Sequence, residues 1–163
     1  MELTTLQKEL AGKYLILQLG DEEYGIPISQ VQEIIGLTDI TRVPDMPNYV
    51  RGVFNLRGKV LPVVELRLKF GRGAIPDTER TCIIVAEISA HGRSIPVGVL
   101  VDAVSEVLDI AAEETEETPV FGTDINLDFL FGVANTKSGI KILMNVDSIC
   151  SICQAQEGVG AGA

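Results

Sequence analysis

A chain of 163 residues with 46% hydrophobic residues and a formal charge of −10 has material for one core, or for two small intertwined ones. The charge argues against a nucleic-acid footprint and against adsorption to an anionic membrane surface, and no apolar run approaches the roughly 20 residues that span a bilayer. Met1 to Leu10 lacks the apolar centre of a signal peptide, and three cysteines do not suggest a disulfide framework, so the chain reads as cytoplasmic.

Strand signals dominate the first half. Lys13 to Gly20 is rich in β-formers, and Asp21 to Glu23 makes a polar turn into Tyr24-Gly-Ile-Pro-Ile28. Pro27 suits a strand end, because it cannot donate to a central ladder. Ser29 to Ile35 reads either as a helical turn or as a further strand. Pro44 and Pro47 enforce a loop around Asp45 and Met46. Gly52 to Asn55, the turn Asn55-Leu-Arg-Gly58 and the run Val60-Leu-Pro-Val-Val64 then form a hairpin.

The second half repeats this grammar. Cys82 to Ile88 pairs through a turn at His91-Gly92 with Ile95 to Val101, and Asp109 to Pro119 is an acidic, strand-breaking connection. Phe131 to Asn135 and Ile140 to Val146 are the closing strands, and Asp147 is a good N-cap for a short C-terminal helix. The tail from 155 to 163 is Gly/Ala-rich, a composition that predicts disorder. Gly25-Ile-Pro-Ile-Ser-Gln-Val-Gln-Glu-Ile34 matches Gly98-Val-Leu-Val-Asp-Ala-Val-Ser-Glu-Val107 at an offset of 73 (98 − 25). Gly52-Val53 and Asn55 match Gly132-Val133 and Asn135 at an offset of 80 (132 − 52), as do Val64 and Leu66 with Met144 and Val146. Two similar half-barrels from an internal duplication account for this, against the alternative of chance likeness between apolar strands. The expected architecture is all-β: two interleaved five-stranded barrels, with short helical turns, in one domain over 12–154 with approximate halves 12–80 and 81–154. A groove lined by Val and Ile between such barrels would suit a partner's helix or loop.

Catalytic sets are missing. His91, the single histidine, sits in a hairpin turn with no nucleophile elbow beside it. Cys150-Ser-Ile-Cys153 is formally C-x-x-C, but it lacks the βαβ context of a thiol oxidoreductase and the second ligand pair of a closed zinc site. Gly71-Arg-Gly73 follows a strand without completing a phosphate-binding motif. Glu113, Glu114, Glu116 and Glu117 read as a solvated acidic run. No enzyme activity, metal or cofactor is expected.

The segment from Val50 to Arg67, Val-Arg-Gly-Val-Phe-Asn-Leu-Arg-Gly-Lys-Val-Leu-Pro-Val-Val-Glu-Leu-Arg, closely resembles the signature of CheW-like domains. Gly20 to Ile26, Val31 to Ile34, and Val97 to Asp102 with Val104 to Leu108 resemble family segments in the same order, so the likeness spans about Gly12 to Ile152. One departure is Glu65, where the family commonly has Asp. The resemblance implies two SH3-like five-stranded barrels around a shared hydrophobic core. It also implies a chemotaxis adaptor that binds the cytoplasmic tips of chemoreceptors and the regulatory domain of the chemotaxis histidine kinase. Such an adaptor is monomeric when free and array-forming in the complex, recruited to the inner face of the membrane without inserting. Positions matching Arg57 and Glu33 are associated in that family with coupling.

The expected partner-binding set is therefore Val31, Glu33, Ile34, Asn55, Leu56, Arg57, Gly58, Val99 and Val101. The turn Asn55 to Gly58 should thrust Leu56 and Arg57 outward, and an arginine fork there could dock a carboxylate. Val31, Ile34, Val99 and Val101 would line the groove, or else serve only as core. Competing readings are an adaptor of another chemosensory pathway, such as surface motility or gene regulation, a thiol enzyme using Cys150 and Cys153, a small hydrolase, and a double barrel for a small ligand.

Overall fold

The computed structural model describes residues 2–70, 76–90, 92–116 and 130–149. The elements are α1 (Thr5–Leu10), β1 (Gly12–Leu19), β2 (Glu22–Pro27), a 3-10 turn at Ile28–Gln30, β3 (Val31–Gly36), β4 (Val50–Leu56), β5 (Lys59–Glu65) and α2 (Leu66–Lys69). They continue with β6 (Cys82–Ala90), β7 (Arg93–Val101), β8 (Ala103–Ile110), a 3-10 turn at Ala112–Glu114, β9 (Thr115–Glu116), β10 (Leu130–Thr136), β11 (Gly139–Met144) and α3 (Val146–Ile149). His91, Gly71 to Gly73, Glu117, Cys150, Cys153 and the tail from 155 lie outside the described residues.

Two sheets result, ordered β8-β1-β2-β11-β10-β9 and β3-β6-β7-β5-β4. The first holds six strands rather than the expected five, because Thr115 and Glu116 pair briefly with Ala134 and Val133. Both sheets ignore the division of the chain at 80/81. β1 and β2 take their remaining partners, β8 to β11, from the second half, while β6 and β7 take theirs, β3 to β5, from the first. The halves exchange hairpins, and the switches occur at the 3-10 turn before β3 and at Asp102 before β8.

Alternation explains why β1 and β6 read as unbroken apolar runs. In β1, Tyr14 and Ile16 enter one barrel's core with Leu10, Ile110 and Leu143, while Leu15, Leu17 and Leu19 face a core shared with the other barrel. In β6, Ile83 and Val85 join Phe54, Leu61 and Leu100, while Ile84, Ala86 and Ile88 face the shared core. Strands covered on both faces need apolar residues at every position. Each fully buried Leu, Ile or Val contributes roughly 1.5–3 kcal/mol, so the shared core is what makes the two barrels one unit.

The duplication survives in the ladders. Val63↔Gly98 in the parallel pair β5·β7 becomes Leu143↔Gly25 in β11·β2, displaced by 80 and 73. Bulges interrupt β4 between Val50 and Gly52 and β10 between Leu130 and Gly132, again 80 apart.

Three local expectations change. The segment from Ser29 to Ile35 is both of its alternatives, since a 3-10 turn leads into a strand. The connection after Asp109 is not wholly strand-breaking, because β8 runs to Ile110 and β9 follows. Asp147 lies inside α3 rather than at its N-cap, and its carboxylate accepts from Ser89 N at 2.8 Å and Gln30 Nε2 at 2.9 Å. It ties the helix to both barrels. The N-terminal segment adds the unexpected helix α1, which Thr4 and Gln7 start with a reciprocal capping box.

Candidate functional site: a partner-binding face

The hairpin β4–β5 closes through two residues, Arg57 at φ +53° and Gly58 at φ +87°. Two left-handed residues in a two-residue loop match the right-handed twist of the flanking strands. Asn55 is extended within β4. Its Oδ1 accepts from Gly58 N at 2.9 Å. The strained position belongs to Arg57, where Asn or Gly would be more comfortable.

That turn aims Arg57 across the barrel to the edge strand β3. Arg57 Nη1 and Nη2 donate to the two carboxylate oxygens of Glu33, both at 2.7 Å, in a parallel bidentate pair. The guanidinium is therefore already occupied, and a partner meets the Arg57–Glu33 pair rather than an open fork. The Arg57 side chain is 69% exposed, against 22% for Glu33. Ile34, the next residue of β3, is 45% exposed, and Val60, near the start of β5, is 66% exposed. Leu56 packs partly into the barrel core, and Val31 partly into the shared core.

The hydrogen bonds from Arg57 hold the Glu33 carboxyl below its ordinary value of 4.5, and the same pairing raises Arg57. A carboxylate whose folded value is depressed contributes fully above its unfolded value, and loses that contribution as pH falls through the folded one. The Glu33 carboxyl carbon, followed by NMR, should therefore titrate with a midpoint below 4.5. In Arg57→Gln the midpoint should return to the ordinary carboxylate range. A midpoint unmoved by that substitution would mean that the pair does not persist in solution.

Val99 and Val101 stand corrected as site residues. Each is 1% exposed within the shared core, so neither offers a partner any surface. The offset of 73 identifies the true counterparts of Val31 and Ile34 as Val104 and Val107, the latter 50% exposed on edge strand β8. Glu106 then matches Glu33, and at an offset of 80 Lys137 matches Arg57 and the exposed Ile140 matches Val60. The repeat thus marks matching positions on the other barrel. Their chemistry differs: among the described residues no ion pair joins Glu106 to Lys137. The hairpin there places positive φ at Gly139 instead of at the basic residue.

The acid-Leu-Arg end of the signature builds structure rather than a surface. Arg67 Nη1 donates to Asp102 Oδ2 at 2.9 Å, and the same oxygen accepts from Gly20 N at 2.7 Å. This fastens the β1–β2 turn to the residue where the chain changes sheets. Glu65 is buried, which raises its pKa, and its nearest cation is Arg51 at 3.9 Å. The thiol of Cys82 is likewise pushed up by burial, which makes it a poor nucleophile.

The model of the CheW-like domain matches residues 13–153. The chain is 37% identical over 154 residues to the chemotaxis protein CheW of Klebsiella aerogenes, covering 91% of this chain and 90% of that one. It is 38% identical over 150 residues to the chemotaxis protein CheW of Rhizobium meliloti, covering 90% and 94%. Among solved structures, the scaffolding protein TtCheW of Thermoanaerobacter tengcongensis superimposes with a TM-score of 0.77 at 31% identity, covering 89% of this chain and 96% of that one. Duplicated grammar, exchanged hairpins around a shared core, and a match across nearly the whole length place this chain in the CheW-like family.

Proposed function

We propose that the chain is a non-enzymatic adaptor of bacterial chemotaxis that links the cytoplasmic tips of chemoreceptors to the regulatory domain of the chemotaxis histidine kinase. The observation that carries the site is the Arg57–Glu33 pair, held on a strained turn with its arginine exposed. A bidentate charged pair on a rigid hairpin gives a partner an oriented contact, and strands β3 and β5 also expose Ile34 and Val60. Its relatives are described as chemotaxis proteins and, for the solved one, as a scaffolding protein, which supports the same reading.

Two faces, one per barrel, give the adaptor two places to hold partners, and the difference between the Arg57 and Lys137 hairpins lets them select different ones. The free protein is monomeric and cytoplasmic, and gathers at receptor arrays beneath the membrane. Coupling is then a free energy between sites: receptor conformation biases the kinase because both are held in one geometry. Individual contacts of about micromolar affinity suffice, since an array adds avidity.

Isothermal titration against the kinase regulatory domain, and separately against a receptor-tip fragment, at physiological salt tests this. The expected result is a micromolar or tighter constant for the kinase domain. No binding below about 100 μM to either partner, with all proteins folded, would overturn the adaptor reading.

A further inference from the structure

One buried charge plays no part in either face. Lys141 sits in β11 with a side chain only 1% exposed, and its Nζ donates to Glu23 Oε1 at 2.7 Å and to the Ser138 carbonyl at 3.2 Å. Glu23 is its direct neighbour in the parallel β2·β11 ladder. The duplication supplies the comparison. Subtracting 80 from 141 gives Leu61, and adding 73 to 23 gives Pro96, so the other barrel holds an apolar pair at this point. Leu61 is buried among Phe54, Val63, Ile83 and Leu100.

Other positions of the two ladders are alike in kind. Leu143 beside Gly25 corresponds to Val63 beside Gly98, and the bulges before Gly132 and Gly52 coincide. To an incoming hairpin, β2 and β7 therefore offer nearly the same apolar edge. A competing arrangement exists in which each half closes on itself, with β4–β5 against β2 and β10–β11 against β7. It would bury Lys141 in an apolar barrel beside Pro96, which has no charge and no N–H, and would leave Glu23 facing Leu61.

We propose that the Lys141–Glu23 pair directs the last hairpin to β2, selecting the exchanged pairing over the self-closed one. An unpaired ammonium in an apolar core is strongly disfavoured. A buried ion pair is by contrast weak evidence for stability, and its best-attested use is to choose among otherwise similar pairings. The likeness of apolar pattern between the halves creates the ambiguity, and the charged pair at positions 23 and 141 resolves it.

The test is refolding of the full chain from urea, read by amide NMR, for wild type, Lys141→Met and the control Leu61→Met. Wild type and the control should each return one set of peaks, with cross-strand contacts between the Ile142 and Tyr24 amides. Lys141→Met should return a second set amounting to at least about 5% of the molecules, with contacts between Ile142 and Val97. A single set with only the Ile142–Tyr24 contacts would overturn the proposal. Should Lys141→Met fail to fold, the double variant E23L/K141L, which leaves no unpaired charge, is read in the same way. A single native set there, or failure of both variants to fold, would also overturn it, since the pair would then serve stability and not choice.

Discussion

Gly52→Ala should lower the unfolding free energy by about 2–4 kcal/mol, a loss readable as a lower urea midpoint at unchanged slope. Gly52 sits at φ +154° in the β4 bulge, directly beneath the short bridge that Thr41 makes to Val53 through two hydrogen bonds of 2.8 Å. A Cβ on Gly52 would collide with the Thr41 carbonyl oxygen, which is held by the Val53 N–H, and would press on Ile40 Cγ2 at 3.0 Å. Neither neighbour can move without opening the bridge that covers the outer edge of β4. The same design recurs at Gly132, where a Cβ would lie 2.5 Å from the Glu116 carbonyl oxygen. Gly36→Ala is the contrast, because a Cβ there meets nothing, and its midpoint should stay near wild type. Equal midpoints for the Gly52 and Gly36 variants would mean that the close approach of Thr41 is not a constraint.

Arg57→Glu should weaken binding to the kinase regulatory domain by at least about tenfold while leaving the urea midpoint nearly unchanged. The side chain is 69% exposed and, among the described residues, makes its hydrogen bonds only to Glu33, so the fold should not depend on it. The substitution instead sets two carboxylates against each other at the rim of the face. Arg57→Asn separates the turn from the charge: asparagine tolerates left-handed φ, so the midpoint should hold or rise while binding falls. The reversed pair E33R/R57E distinguishes two roles. Recovered binding would mean that the pair orients the face, whereas continued loss would mean that a partner reads the arginine at that position. Unchanged affinity in Arg57→Glu would remove this face from the binding surface.

Much of the fold was legible because its signals are local. Val, Ile and Leu in short runs, Pro27 at a strand end, and Arg57-Gly58 between two apolar segments each act within a few residues, and the strands fall where those signals lie. The helix α1 was equally local and was overlooked, since the Thr4 and Gln7 capping pair precedes a segment of only six residues. The family resemblance linked Arg57 and Glu33 to coupling but not to each other, and their pairing comes from the structure alone. Nothing in the spacing of residues 24 apart implies contact, and it is the twist of one hairpin that carries Arg57 to the edge of β3.

Val99 and Val101 show the opposite limit. An apolar residue in a strand reads the same whether its face meets solvent, a partner or another barrel, and only the packing of β7 into the shared core distinguishes these. The sequence by itself determined the strand content, the repeat and the membership in a family, because composition, periodicity and motif are properties of neighbouring residues. The tertiary structure decided which half completes which sheet, which valines are buried, and that Arg57 already holds a carboxylate. Those outcomes depend on contacts between residues tens of positions apart, which no local signal in the chain reports.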